Sequence, residues 1–170
     1  MLLAAHPDPR ITSGAVKSKL GLMLHPNFID GAKCIQDAGL SLDFWIYHTQ
    51  LNEMEKIARA LPKLSIILNH IGGPIHLGEY AGKQALTHRE WRVSMMRLSR
   101  IPNISVKLGG LGMAVNGAKF HEHAFPPQSD QLSEMWKPWI YETINMFGVD
   151  RCMFESNFPV DRRSISYHVL

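Results

Sequence analysis

Four short apolar runs in this chain each end abruptly in residues able to do chemistry. Residues 42–47 (LDFWIY) are followed by His48, Thr49 and Gln50, and residues 64–68 (LSIIL) by Asn69 and His70, then Ile71-Gly72-Gly73-Pro74. Ile104–Leu108 (ISVKL) carries Lys107 within it and stops at Gly109-Gly110, while Cys152–Phe154 (CMF) breaks into Glu155, Ser156 and Asn157. Two imidazoles, an ammonium and a carboxylate beside an amide, converging on one rim, supply what hydrolysis needs: proton carriers or ligands, a charge for an oxyanion and an orienting group. Taken singly, each residue reads equally well as a turn former or strand cap, and it is the recurrence at four tips that carries weight. The glycines after His70 and Lys107 either let a substrate approach the backbone or simply form turns.

Such tips need strands to deliver them and helices to cover the strands. The four runs are short and lack clean alternation, the habit of strands buried on both faces in a parallel sheet. Between them lie helical patterns at residues 27–38, 51–61, 87–99 and 130–147. In the second, Met54, Ile57, Ala58 and Leu61 share one face, as an amphipathic helix on a sheet requires. Gly39 and Gly148 stand at helix C-cap positions, Pro62 stops the second helix, and Pro138 kinks the fourth or splits it in two. Helix and strand alternate throughout, which means an α/β fold with parallel strands and right-handed crossovers. The long inserts at 71–86 and 109–129 both follow strand C-terminal ends, the edge where α/β folds keep their active sites. Residues 1–170 read as one domain without repeats.

Composition narrows the function classes. Hydrophobic residues make up 45% and charged residues 19%, ordinary for a globular domain. The net charge is +3, but the 18 Lys and Arg are scattered among 15 acids with no run longer than Arg162-Arg163, a poor nucleic-acid footprint. Two distant cysteines, Cys34 and Cys152, suggest neither a disulfide framework nor a structural zinc site, and a reducing cytoplasm fits them. No apolar span is long enough for a membrane helix, and MLLAAHPDPR lacks the basic lead of a signal peptide. No G-x-G-x-x-G, P-loop or G-x-S-x-G occurs, so no nucleotide cofactor is expected. His121-Glu122-His123 has metal-ligand spacing but lies in a loop and reads as a solvated or lid element. His6, His25, His76, His88 and His168 sit beside turns or helix starts and read as structural. The aromatic and methionine residues of the last two helices recur at core spacing, with Trp136 and Trp139, flanking Pro138, held open as pocket-lining residues.

The stretches HPDPRIT, DAGLSLDFWIYHTQL, LNHIGGP, NISVKLGGLGM and above all GVDRCMFESNFPVDR run from His6 to Arg162. Together they resemble the amidohydrolase-related proteins of the amidohydrolase superfamily, metal-dependent hydrolases of TIM-barrel fold that include sugar-lactone and pyrone-dicarboxylate lactonases. The resemblance implies a partial (β/α)8 barrel, its four strands being the fifth to eighth with their helices. MLLAAHPDPR would then be the end of the fourth strand and its loop. A barrel of this type takes about 250 residues, so 1–170 is expected to be its C-terminal part, truncated at both ends. RCMFESNFPVD would be the last barrel strand delivering its polar tip into the catalytic mouth.

The resemblance places His48 after the fifth strand, His70 after the sixth, and Asn157 where many relatives hold an aspartate after the eighth. An amide cannot serve as general base and is a poorer metal ligand, which leaves Glu155 or Asp161 to supply the carboxylate. On an unbulged strand Glu155 and Asn157, two apart, would both turn into the barrel. The implied activity is opening of a lactone or similar cyclic ester or amide of a carboxylated or sugar-derived small molecule. His70 and His48 would orient or ligate water and carbonyl, Glu155 or Asp161 would handle protons, Asn157 would donate a hydrogen bond, and Lys107, Asn69 and Trp136 would contact substrate. One divalent metal, zinc by the preference of imidazole ligands, would bind through His48 and His70, although relatives also work without metal. Decarboxylation is the runner-up chemistry. From another class comes a non-catalytic half barrel that pairs with a partner or with itself, because an opened barrel exposes two strand edges. The expected partners are a small-molecule substrate and a further copy of the chain, with neither nucleic acid nor membrane.

Overall fold

Residue period decides the layers. In the computed structural model, which describes residues 3–11 and 18–170, the four expected strands form at Ser41–Phe44 (β1), Ser65–Leu68 (β2), Ile104–Leu108 (β3) and Cys152–Phe154 (β4). Met1 and Leu2 of the expected strand end and Thr12 of HPDPRIT lie outside the described residues. The helices are Pro26–Asp37 (α1), Leu51–Ala60 (α2), Gln84–Leu98 (α3) and Ser129–Phe147 (α4). All neighbouring strands are parallel, in the spatial order β1-β2-β3-β4.

Registered rows place Leu42 beside Ile66 and Ile104, and Phe44 beside Leu68 and Val106. These side chains are buried and join Met54, Ile57, Trp91 and Met95 from α2 and α3 in one core. The opposite face differs from the expectation of two buried faces. It carries Ser41, Asp43, Ser65, Ile67, Ser105, Lys107 and Met153, all at least partly exposed. Polar residues at alternate positions suit this face to the interior of a barrel whose other strands would stand across from it. The Leu3 N–H donates to the Trp45 carbonyl at 2.9 Å, and Gln50 reaches back to Ala5 N–H and Leu3 C=O, so the N-terminal segment lies along the outer side of the β1 tip.

The helix ends follow their sequence signals. His25 accepts from Asn27 N–H at the start of α1, and Gly39, at φ +68°, closes it with its own N–H on Gln36 C=O and that of Leu40 on Ile35 C=O. Pro138 does not split α4, which is continuous over nineteen residues. Proline removes one backbone bond, and contacts on both sides of it, Leu132 in one cluster and Trp139 against Trp91, support the helix across the gap. No helix of the described residues is long and apolar enough to cross a membrane.

Candidate active site

The tips of β2 and β4 are joined by a carboxylate. Glu155, directly after β4, accepts the His70 backbone N–H at 3.1 Å and stands 2.5 Å from His70 Nδ1. Both side chains are largely buried, at 12% and 14% exposure, so the pair is shielded from solvent yet reachable. In the neutral ring this partnership puts the proton on Nδ1 and leaves the Nε2 lone pair free for a ligand. The Trp45 ring meets the imidazole edge-on, with centroids 4.7 Å apart.

Backbone strain marks the same place. Among the described residues only His70, Ile71 and Asn157 have positive φ without being glycine, at 54°, 48° and 48°. Each left-handed residue of this kind costs on the order of 1–2 kcal/mol, and isoleucine is among the least suited. Neighbouring helices hold the strained loop: Trp91 Nε1 donates to Ile71 C=O at 2.6 Å and Thr87 Oγ1 to Ile75 C=O at 2.9 Å, both from α3.

The loop after β3 accounts for the glycines. A Cβ on Gly109 would collide with Glu155, one on Gly110 would come within 2.5–2.7 Å of the His70 ring, and one on Gly112 would stand 3.1 Å from the Asp161 carboxyl carbon. Three glycines in four residues thus make room for an imidazole and two carboxyls. Beyond the two readings of these glycines from the sequence, substrate approach or a turn, Gly109, Gly110 and Gly112 leave space for the protein's own side chains. This is the functional signal that sequence reading missed, and G-G-L-G directly after a strand was its trace.

Asp161 completes the group. It is 3% exposed, receives Asn157 Nδ2 at 3.0 Å on Oδ1, and its Oδ2 has no partner among the described residues. Burial pushes its carboxyl up to about 6, against the opposing pull of the Asn157 hydrogen bond, the adjacent Gly112 backbone and the nearby His70. Asn157 does not follow the alternation expected of an unbulged strand, because β4 ends at Phe154 and the left-handed turn at Asn157 aims its amide at Asp161.

The remaining expected residues have other partners. His48 is buried, accepts Ile75 N–H on Nδ1 at 3.3 Å, and turns its ring edge-on to Tyr80 with Nε2 3.7 Å from Glu90. Burial, reinforced by His76, lowers its pKa to about 4, so the ring is neutral near pH 7. Lys107 forms a 2.5 Å ion pair with Asp43 across the open face, which balances its charge. Asn69 begins the turn at His70, and its buried Oδ1 has no partner among the described residues. Trp136 packs against the two clusters that α4 touches, and Trp139 meets the Trp91 and His88 rings edge-on and the His76 ring at a tilt. The structure therefore gathers His70, Glu155, Asn157 and Asp161, and holds His48, Lys107 and Trp136 in separate contacts. Glu122 and His123 of the H-x-H stretch are exposed.

A metal centre needs three or more converging ligands. Among the described residues no such group of His, Cys, Asp or Glu forms, since His70 is engaged by Glu155 and His48 faces Glu90. The described residues do not fit a metal ion by themselves.

Residues 24–169 match the family model described as amidohydrolase. The chain is 36% identical over 149 residues to the Sinorhizobium fredii protein named uncharacterized protein y4mH, covering 85% of this chain and 42% of that one. Among solved structures it is similar to an amidohydrolase from Burkholderia multivorans with bound zinc, at a TM-score of 0.71 and 21% identity over 87% of this chain and 48% of the other. Amidohydrolase 2 from Bifidobacterium longum subsp. infantis gives a TM-score of 0.60 at 20% identity, covering 88% and 47%. The chain spans about half the length of the proteins it matches, and the fold it shares with them is the expected α/β partial barrel.

Proposed function

The chain belongs to the amidohydrolase family, and from that premise we propose that His70, Glu155 and Asp161 form this half's share of a hydrolytic site. The proposed substrate is a lactone or similar cyclic ester or amide of a carboxylated or sugar-derived small molecule. The observation that carries the reading is the 2.5 Å contact between His70 Nδ1 and Glu155 inside a cradle of three glycines. Glu155 fixes the imidazole tautomer and orientation, and Nε2 takes a proton from the attacking water. Asp161 in its protonated form, which the raised pKa of about 6 extends into weakly acidic solution, gives its proton to the departing ring oxygen and is reprotonated from the His70 imidazolium through solvent, and the Asn157 amide holds it in place. No step runs through a metal.

The test is Glu155→Gln. The amide keeps the shape but loses the charge that orders the ring, and the rate of lactone opening is expected to fall about a hundredfold or more. An unchanged rate would remove Glu155 from the proposed role.

A further inference from the structure

A cavity of about 480 Å³ opens beside this group, walled by Ser156, Phe158, Asp161, Arg162, Arg163 and Tyr167 among others. Resting on the hydrolytic reading above, we propose that it is a carboxylate-recognition subsite in which Arg162 and Arg163 hold the acid group of the substrate next to Asp161. Its size falls in the range of small-molecule sites. Neither guanidinium has a carboxylate within 4.0 Å among the described residues, whereas Arg10, Arg59, Arg92 and Arg97 all do. Two solvent-facing cations without acidic partners, at the wall of a concave space, are set to receive an external anion, and the planar guanidinium fork matches a carboxylate. Asp161 is the link to the chemistry: it lines the cavity, is almost wholly buried, and has an unpartnered Oδ2. The exposed Phe158 and Tyr167 rings supply apolar walls for the body of a small ring compound. The ligand class is therefore a small cyclic acid, its carboxylate on the arginines and its ring toward Asp161.

The test is calorimetric titration of the 170-residue chain with cyclopentanecarboxylate, its neutral carboxamide and inorganic phosphate. The acid is expected to bind at least about tenfold more tightly than the amide, and more weakly as salt is raised. Arg162→Gln and Arg163→Gln, singly and together, should weaken the acid and leave the amide unchanged, and Lys at both positions should restore part of the affinity. Both positions are exposed, so these variants keep the fold, which far-ultraviolet dichroism checks. Equal binding of acid and amide, or wild-type affinity in the double Gln variant, overturns the subsite. Phosphate binding more tightly than the carboxylate overturns the assignment to carboxylic acids. Because these probes contain no bond to hydrolyse, failure of lactone opening with intact acid binding would sink the catalytic reading and leave the subsite standing.

Discussion

His70 holds a conformation its own backbone resists, and Asp161 keeps its proton to a higher pH than it would in water. The second carries a pH signature. Its carboxyl has an ordinary pKa of 3.8 and about 6 in the fold, so the folded chain binds the proton more tightly than the unfolded one. The contribution to stability is fully present below about pH 4, fades as pH climbs to about 6, and above that the buried carboxylate opposes the fold. Asp161→Asn is neutral throughout. It should therefore raise stability at about pH 8 by about 1–2 kcal/mol, with little change at acidic pH, while lowering turnover. Urea midpoints at both pH values check this, and the same pH slope in both proteins would contradict it. At this scale the sequence was readable in identity more than in pairing. His70, Glu155, Asn157 and Asp161 stood out as polar tips, but whether Glu155 or Asp161 would serve the imidazole depends on backbone turns at positive φ, which residue types do not announce.

Elements set those turns. The loop after β3 serves the tips of β2 and β4 at once, because Gly109, Gly110 and Gly112 each lie against a different site side chain. Gly110→Ala combines a φ of +71° with a Cβ inside contact distance of the His70 ring. It is expected to cost about 2–4 kcal/mol and to displace the imidazole, read as a lowered urea midpoint together with lost turnover. Wild-type stability and rate in that variant would show that the loop does not set His70. Helix α3 is the second support, through Trp91 and Thr87 on the loop after β2. The strands and helices themselves were legible to within a few residues, since apolar runs and helical spacing are local signals. His48 was not. It follows β1 as His70 follows β2, yet a 3-10 turn over His48–Gln50 puts it under the Ile75 loop, against Tyr80 and Glu90. Lys107 likewise found Asp43, a charge in the middle of an apolar run whose partner the sequence does not name.

The whole molecule is four parallel strands with helices on one face and polar residues on the other. Its β4 edge is unpaired among the described residues, and Met153, Phe154, Phe158 and Val160 are exposed on or just beyond it. An exposed apolar edge favours association, so sedimentation of the 170-residue chain is expected to show mass rising with concentration. A single monomeric species across that range would contradict this. The sequence made the half barrel readable through the order of its elements, and it misjudged the second sheet face because burial there depends on strands that this chain does not supply. The most direct test of the account is the rate of ring opening of a carboxylated lactone, followed by proton release with carbon dioxide recorded in parallel, for the complete barrel to which this half belongs and for its His70→Ala variant. The account predicts ring opening by the wild type without carbon dioxide, and a fall of about 10²–10⁴ in His70→Ala. Wild-type ring opening in His70→Ala, or carbon dioxide release in place of ring opening, would contradict it.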